Sequence, residues 1–160
     1  MNSLSQHLCI CIVALNLYCG SVVAQDYSQC YTQMPIEMAQ VEAPVIPDLT
    51  VDLRDYGAVG DGQTLCTNAF VKAISYLNKE GGGHLNVPRG VWLTGPIVLK
   101  DNIDLHIEQG AIVLMSPDKS LFKREGSVRG YPGISASKRK NISITGKGII
   151  VWGARTLDGN

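Results

Sequence analysis

Three closely spaced glycines, Gly57, Gly60 and Gly62, stand just before a helical apolar stripe, and after that stripe the chain turns to short alternating runs. That order limits the possible folds more than any other feature. Val51 and Leu53 alternate with polar neighbours as a first strand. The glycines then allow the positive backbone angles of a tight turn. Ala69, Phe70, Ala73, Ile74 and Leu77 recur at a helical period, with Thr64 or Thr67 as the expected cap and Gly81 as the stop. Beyond Gly81, Leu85 and Val87 alternate, then Val91 and Leu93; about 20 residues later come Ile103, Leu105 and Ile107, then Ile112 and Leu114. A third pass, Ile142 and Ile144 with Ile149 and Val151, follows a polar insertion from Pro117 to Lys140. Two short strands per pass at this period predict coils stacked in a β-solenoid, each burying its inward residues on the next. The amphipathic helix would cover the backbone left unpaired at the open end. An antiparallel sandwich is the alternative, but no two-residue Asn-Gly or Asp-Gly hairpin joins adjacent runs.

A chain of 160 residues suits one domain with a real core. Lys plus Arg and Asp plus Glu number 14 each, so no net field points to nucleic acid and no acidic excess points to a disordered tail. Residues 1–24 contain no Lys, Arg, Asp or Glu, carry the apolar run Leu8 to Leu17, and end in Val22, Val23 and Ala24. This predicts a signal peptide cut before Gln25, with the amino terminus and His7 as its positive charge, and hence a secreted or periplasmic protein. A membrane anchor would need ~20 apolar residues, more than the run offers, and Tyr18 is too large to precede a lipidated Cys19, so no span is expected after signal removal. Cys9, Cys11 and Cys19 leave with the signal. Cys30 and Cys66 remain, enough for one disulfide by count alone, and no Cys-x-x-C pair supports zinc or a redox dithiol. Residues 25–48, with Pro35, Pro44 and Pro47, read as an extended linker into a domain over 49–160.

The wording from Asp55 through Ser116, above all GPIVLKDNIDLHIEQGAIVLMS, followed by NISITGKG at Asn141 to Gly148, resembles the amino-terminal part of family 28 of the glycoside hydrolases, the polygalacturonases. The turn and helix alone resemble the wider pectate-lyase-like superfamily, whose phage tailspikes an export signal argues against. The resemblance implies a mainly β fold, the right-handed parallel β-helix, here its first coils with a capping helix. It also implies inverting hydrolysis of α-galacturonosyl linkages in a pectic polysaccharide, polygalacturonate or rhamnogalacturonan, by a monomer without cofactor.

Inversion needs a general acid and a carboxylate base roughly 6.5 to 9.5 Å apart. The family supplies them through Asn-Thr-Asp, Asp-Asp, Gly-His-Gly and Arg-Ile-Lys motifs, and none occurs in this sequence. No residue is therefore assigned a catalytic, cofactor-binding or metal-binding role, and the chain is expected to be a truncated piece, inactive alone. Asn102, Ile103 and Asp104 imitate the first motif in the wrong context. Asp104, His106 and Glu108 alternate on one strand face, where they read as a solvated outer surface rather than a metal site, and His84 reads as a surface residue. The loop Gly57 to Gly62 has neither a P-loop Lys-Ser/Thr nor the G-x-G-x-x-G spacing. Lys119, Lys123, Arg124, Arg129, Lys138, Arg139 and Lys140 face only Asp118 and Glu125 in the insertion, which reads as a solvated loop or as a contact for uronate carboxylates. After Ile150 the chain departs from the family wording, which continues into Asp-Gly and an aromatic pair. Two other readings stay open: a pectate or rhamnogalacturonan lyase or epimerase using calcium and a basic residue, and a non-catalytic carbohydrate-binding remnant.

Overall fold

The computed structural model describes residues 43–123, 130 and 132–152. The expected signal 1–24, most of the linker 25–48, Cys30, Arg124, Glu125, Arg129 and the divergent end from Gly153 lie outside the described residues. Among the described residues, strands β1 (Thr50–Asp52), β2 (Gly83–Val87), β3 (Gly90–Thr94), β4 (Ile97–Val98), β5 (Ile103–Ile107), β6 (Ala111–Met115), β7 (Ile134–Ser135), β8 (Ile142–Gly146) and β9 (Ile149–Val151) accompany one α-helix, α1 (Thr67–Lys79). The strands form three sheets, ordered β1-β2-β5-β8, β3-β6-β9 and β4-β7. Every ladder is parallel. The chain is a right-handed parallel β-helix, and the sandwich alternative fails because it requires antiparallel neighbours.

In-register stacking builds the interior. Val51, Leu85, Leu105 and Ile144 form one column; Trp92, Val113 and Ile150 form another. Leu85, Leu105, Val113 and Trp92 are buried, whereas Ile144 and Ile150 in the last described coil are exposed. Trp92 satisfies its indole by donating from Nε1 to the Pro88 carbonyl at 2.7 Å.

Two expectations about the coils change. Each full coil has three sides, because Ile97–Val98 and Ile134–Ser135 form a third ladder too short to show alternation in sequence. The polar insertion is thus not all loop: it contains β7 and a 3-10 turn at Lys119–Phe122, and Phe122 and Ile134 pack against the core. On the second side the phase is the reverse of the one read. Trp92, Thr94, Val113 and Met115 point inward, while Val91, Leu93, Ile112 and Leu114 are only half-buried. Both parities of Val-Trp-Leu and Ala-Ile-Val-Leu-Met are apolar, so alternation alone cannot choose a face.

The first coil runs from β1 through Asp61, which bridges in parallel to Val91, into α1. Ala69, Phe70, Ala73, Ile74 and Leu77 are the buried stripe of that helix, as the period required. Its cap differs from expectation. Cys66 is the N-cap residue and makes no side-chain cap bond. Thr64 instead donates to Asp61 at 2.7 Å, and the Thr67 hydroxyl accepts the Gly95 N–H at 2.7 Å, pinning the helix to the coil below. The Cys66 thiol is buried, within 3.3 Å of the Val59 carbonyl and 3.2 Å of the Thr64 carbonyl, and desolvation pushes its pKa up. At the other end Gly83, with φ +147, lets β2 start where a Cβ would collide with the Leu49 carbonyl oxygen. Among the described residues no helix is long and apolar enough to cross a membrane.

Phe70 is fully buried under α1, whereas its neighbour Val71 is 53% exposed. In urea unfolding of the whole chain, Phe70→Ala is expected to cost about 3–5 kcal/mol and Val71→Ala less than about 0.5 kcal/mol.

Candidate functional site

Strand alternation sends Ile103, Leu105 and Ile107 inward and leaves Asp104 and His106 on the outer face of the four-stranded sheet. The register then sets His84, Asp104 and Ser143 side by side, with Asn86, His106 and Thr145 in the next row. Asp104 is the centre of this polar face. Its Oδ1 accepts from the Ser143 hydroxyl at 2.7 Å, and its Oδ2 accepts from the Thr145 hydroxyl at 2.8 Å and from His84 Nδ1 at 3.0 Å. Burial opposes the charge on Asp104, but the bonds from His84, Ser143 and Thr145 outweigh it and hold the carboxyl below its usual range.

The hydrogen bonds fix both imidazoles. A carboxylate only accepts, so His84 carries its proton on Nδ1. Thr145 gives its one proton to Asp104, so His106 Nδ1, 2.8 Å from Thr145 Oγ1, must donate to that oxygen. In the neutral form of each ring these bonds select the Nδ1–H tautomer. Asn86 Nδ2 donates to Glu108 Oε1 at 2.7 Å, a separate bond further along the same sheet.

The expected solvated face is thus corrected at its centre: Asp104 is 3% exposed, and His84 is half-buried against it. A general acid must hold a proton near neutral pH, which calls for a raised carboxyl pKa. Asp104 has the opposite shift and is walled in by three donors. Its chemistry is that of a structural anion tying three coils together. Among the described residues no group of three or more His, Cys, Asp and Glu is arranged to hold a metal.

The imitation motif resolves the same way. Asn102 has φ 59 and Asn141 φ 51, both left-handed, and they turn the chain into β5 and β8. Asn141 Nδ2 donates to Asn102 Oδ1 at 3.0 Å, and Asn102 Nδ2 donates to the Gly81 carbonyl at 3.0 Å. Asn102 is a turn residue in a stacked amide column. Beside it, Asp101 accepts the Lys140 N–H at 2.7 Å and Arg139 Nη1 at 3.1 Å. The Lys140 backbone bond and the Arg139 pair lower the Asp101 pKa.

The amide turns, three-sided coils and helical cap set the chain beside known proteins. No family model matches it. A Vitis vinifera protein named "Probable polygalacturonase" is 35% identical over 115 residues, 70% of this chain and 23% of that protein. The hyperthermoactive exopolygalacturonase of Thermotoga maritima is 41% identical with TM-score 0.65, over 71% of this chain and 27% of that one. The family 28 exopolygalacturonase of Yersinia enterocolitica is 28% identical with TM-score 0.58, over 65% of this chain and 21% of that one. The chain belongs to the polygalacturonase lineage, glycoside hydrolase family 28. It spans about a quarter of the length of the polygalacturonases it matches.

Sequence reasoning missed the Asp104 network. Its partners lie 20, 39 and 41 residues away, and the first two offsets carry Asp104 to the directly stacked position one coil before or after it. That periodicity is the signal that could have found them. Within this polygalacturonase-like coil, Asp104→Asn turns one acceptor oxygen into a donor facing other donors, and is expected to cost about 2–3 kcal/mol near neutral pH. Because the folded pKa of Asp104 is lowered, its stabilisation is present above the unfolded carboxyl value and lost as pH falls through the folded value. In urea titrations the gap between wild type and variant should therefore close below about pH 4.

Proposed function

We propose that this chain forms part of an exported, pectin-degrading glycoside hydrolase that cleaves α-galacturonosyl linkages with inversion, and that these residues supply its scaffold and not its chemistry. The observation that carries this is the mismatch between a family 28 coil and its carboxylates. Of the carboxylates on the outer sheet face, Asp104 is committed to three donors, and the motifs that hold the acid and base in the family are absent from the sequence. The Thermotoga maritima and Yersinia enterocolitica proteins are both exopolygalacturonases, which favours attack at chain ends by the whole protein. The substrate that suits the lineage is polygalacturonate, whose carboxylates recur along the chain.

The scaffold role has a physical content. A parallel coil cannot bury its inward side alone, and each needs a neighbour above and below. Here α1 closes one end, while the last described coil presents Ile144, Ile149 and Ile150. That apolar rim suits the stacking of further coils, on which the acid and base of the family would be carried.

The test is reducing-end release from polygalacturonate by the full 160-residue chain, alongside absorbance of unsaturated uronate products. No turnover in either channel is expected. Steady hydrolysis by this chain would overturn the scaffold assignment, and unsaturated product would replace hydrolase with lyase.

A further inference from the structure

A neutral chain can still be polar in its charge distribution, and the edge where α1 meets the amide turns is strongly one-sided. Lys72, Ser75 and Lys79 share one face of α1, spaced at three and four residues. Lys100 Nζ reaches Ser75 Oγ at 3.3 Å, which places the Lys100 ammonium between those two lysines. One coil further on, the register of β5 with β8 continues into the turn, as the Asn102 N–H to Lys140 carbonyl bond at 3.0 Å records. Arg139 Nη1 reaches Asp101 Oδ2 at 3.1 Å and the Lys140 N–H reaches Asp101 Oδ1 at 2.7 Å, so both residues lie against the residue that follows Lys100. Lys138, with φ 56, adds a further cation at the turn.

The result is a band of six cations, Lys72, Lys79, Lys100, Lys138, Arg139 and Lys140, crossing from the helix to the coil edge. All are exposed except Lys100, which is half-buried. The acids along it are Glu80 and Asp101. Asp101 and Arg139 offset each other as an ion pair at 3.1 Å, so the five lysines carry the excess positive charge of the band. Parallel ladders space stacked turns about 4.8 Å apart, so Lys100 and the Lys138–Lys140 turn lie on successive coils. The Asn102–Asn141 amide bond fixes those turns.

We propose that this edge is a docking surface for a polyuronate, an extended polymer of sugar carboxylates, which it holds by point-charge contacts along its length. The proposal rests on the polygalacturonate reading given above for the choice of polyanion, and on the cation band alone for the location. Lysine ammonium groups on flexible stems suit a repeating carboxylate without demanding one bidentate geometry. Exposed charge pairs of this kind are weak singly and screened by salt, so binding must be multivalent and salt-sensitive.

The test is affinity electrophoresis of the full chain through gels containing polygalacturonate, fully methyl-esterified pectin, or double-stranded DNA. Retardation by polygalacturonate alone, fading with added salt, is expected. Lys100→Glu with Lys138→Glu should weaken that retardation about tenfold, whereas the equal charge change at Lys119→Glu with Lys147→Glu, off the band, should leave it within about twofold. Far-ultraviolet circular dichroism confirms that all variants fold alike. Retention by polygalacturonate that is equally insensitive to both variant pairs overturns the band while leaving the polyuronate reading intact. Retardation by DNA as strong as by polygalacturonate overturns the assigned occupant. Equal retardation by the esterified polymer removes the electrostatic basis altogether.

Discussion

Everything in this molecule depends on the parallel, in-register stacking of one coil on the next. A residue at a given position of a coil rests on the same position of its neighbour, so the interior is a set of columns such as Leu85 on Leu105 and Trp92 on Val113. A single coil has no core. Its backbone donors and acceptors point along the solenoid axis, and only the adjacent coil can satisfy them. This makes the ends the vulnerable places. At one end α1 covers the stack, held by its apolar stripe and by Thr67 against Gly95.

The same stacking turns isolated polar residues into networks. Asp104 is embedded in an outer sheet face because His84, Ser143 and Thr145 arrive beside it from adjacent coils. A buried carboxylate without such donors would be strongly destabilising; with them it joins three strands and fixes two imidazole tautomers. Asn102 and Asn141 work by the same rule at the corner, where left-handed backbone conformations put side-chain amides in line. The features that most resemble an active site in the sequence are thus parts of the scaffold. Asp104 in particular has both carboxylate oxygens engaged by residues of neighbouring coils.

Charge follows the coil geometry as well. A sequence with equal numbers of cationic and anionic residues gives no hint of a basic surface, yet the helix face and the stacked turns collect Lys72, Lys79, Lys100 and Arg139 along one edge. Residues dispersed over nearly seventy positions become neighbours through a repeat that the chain sets once and reuses.

The sequence by itself determined the helix, the solenoid class and the lineage. The stripe Ala69, Phe70, Ala73, Ile74 and Leu77 has one period and one polar side, and Ile103, Leu105 and Ile107 alternate cleanly with the polar Asp104 and His106, so local pattern and burial agree. Only the tertiary structure decided which face of β3 and β6 is inside, because both faces are apolar and the volume of Trp92 settles the matter only in three dimensions. It likewise decided the third side of each coil, whose two-residue strands are too short to carry a period, and the role of Asp104, whose partners are set by register. The physical reason is common to all three. Periodicity reports how a segment meets its surroundings, and it falls silent where both faces match, where the segment is shorter than the period, or where the partner comes from another coil.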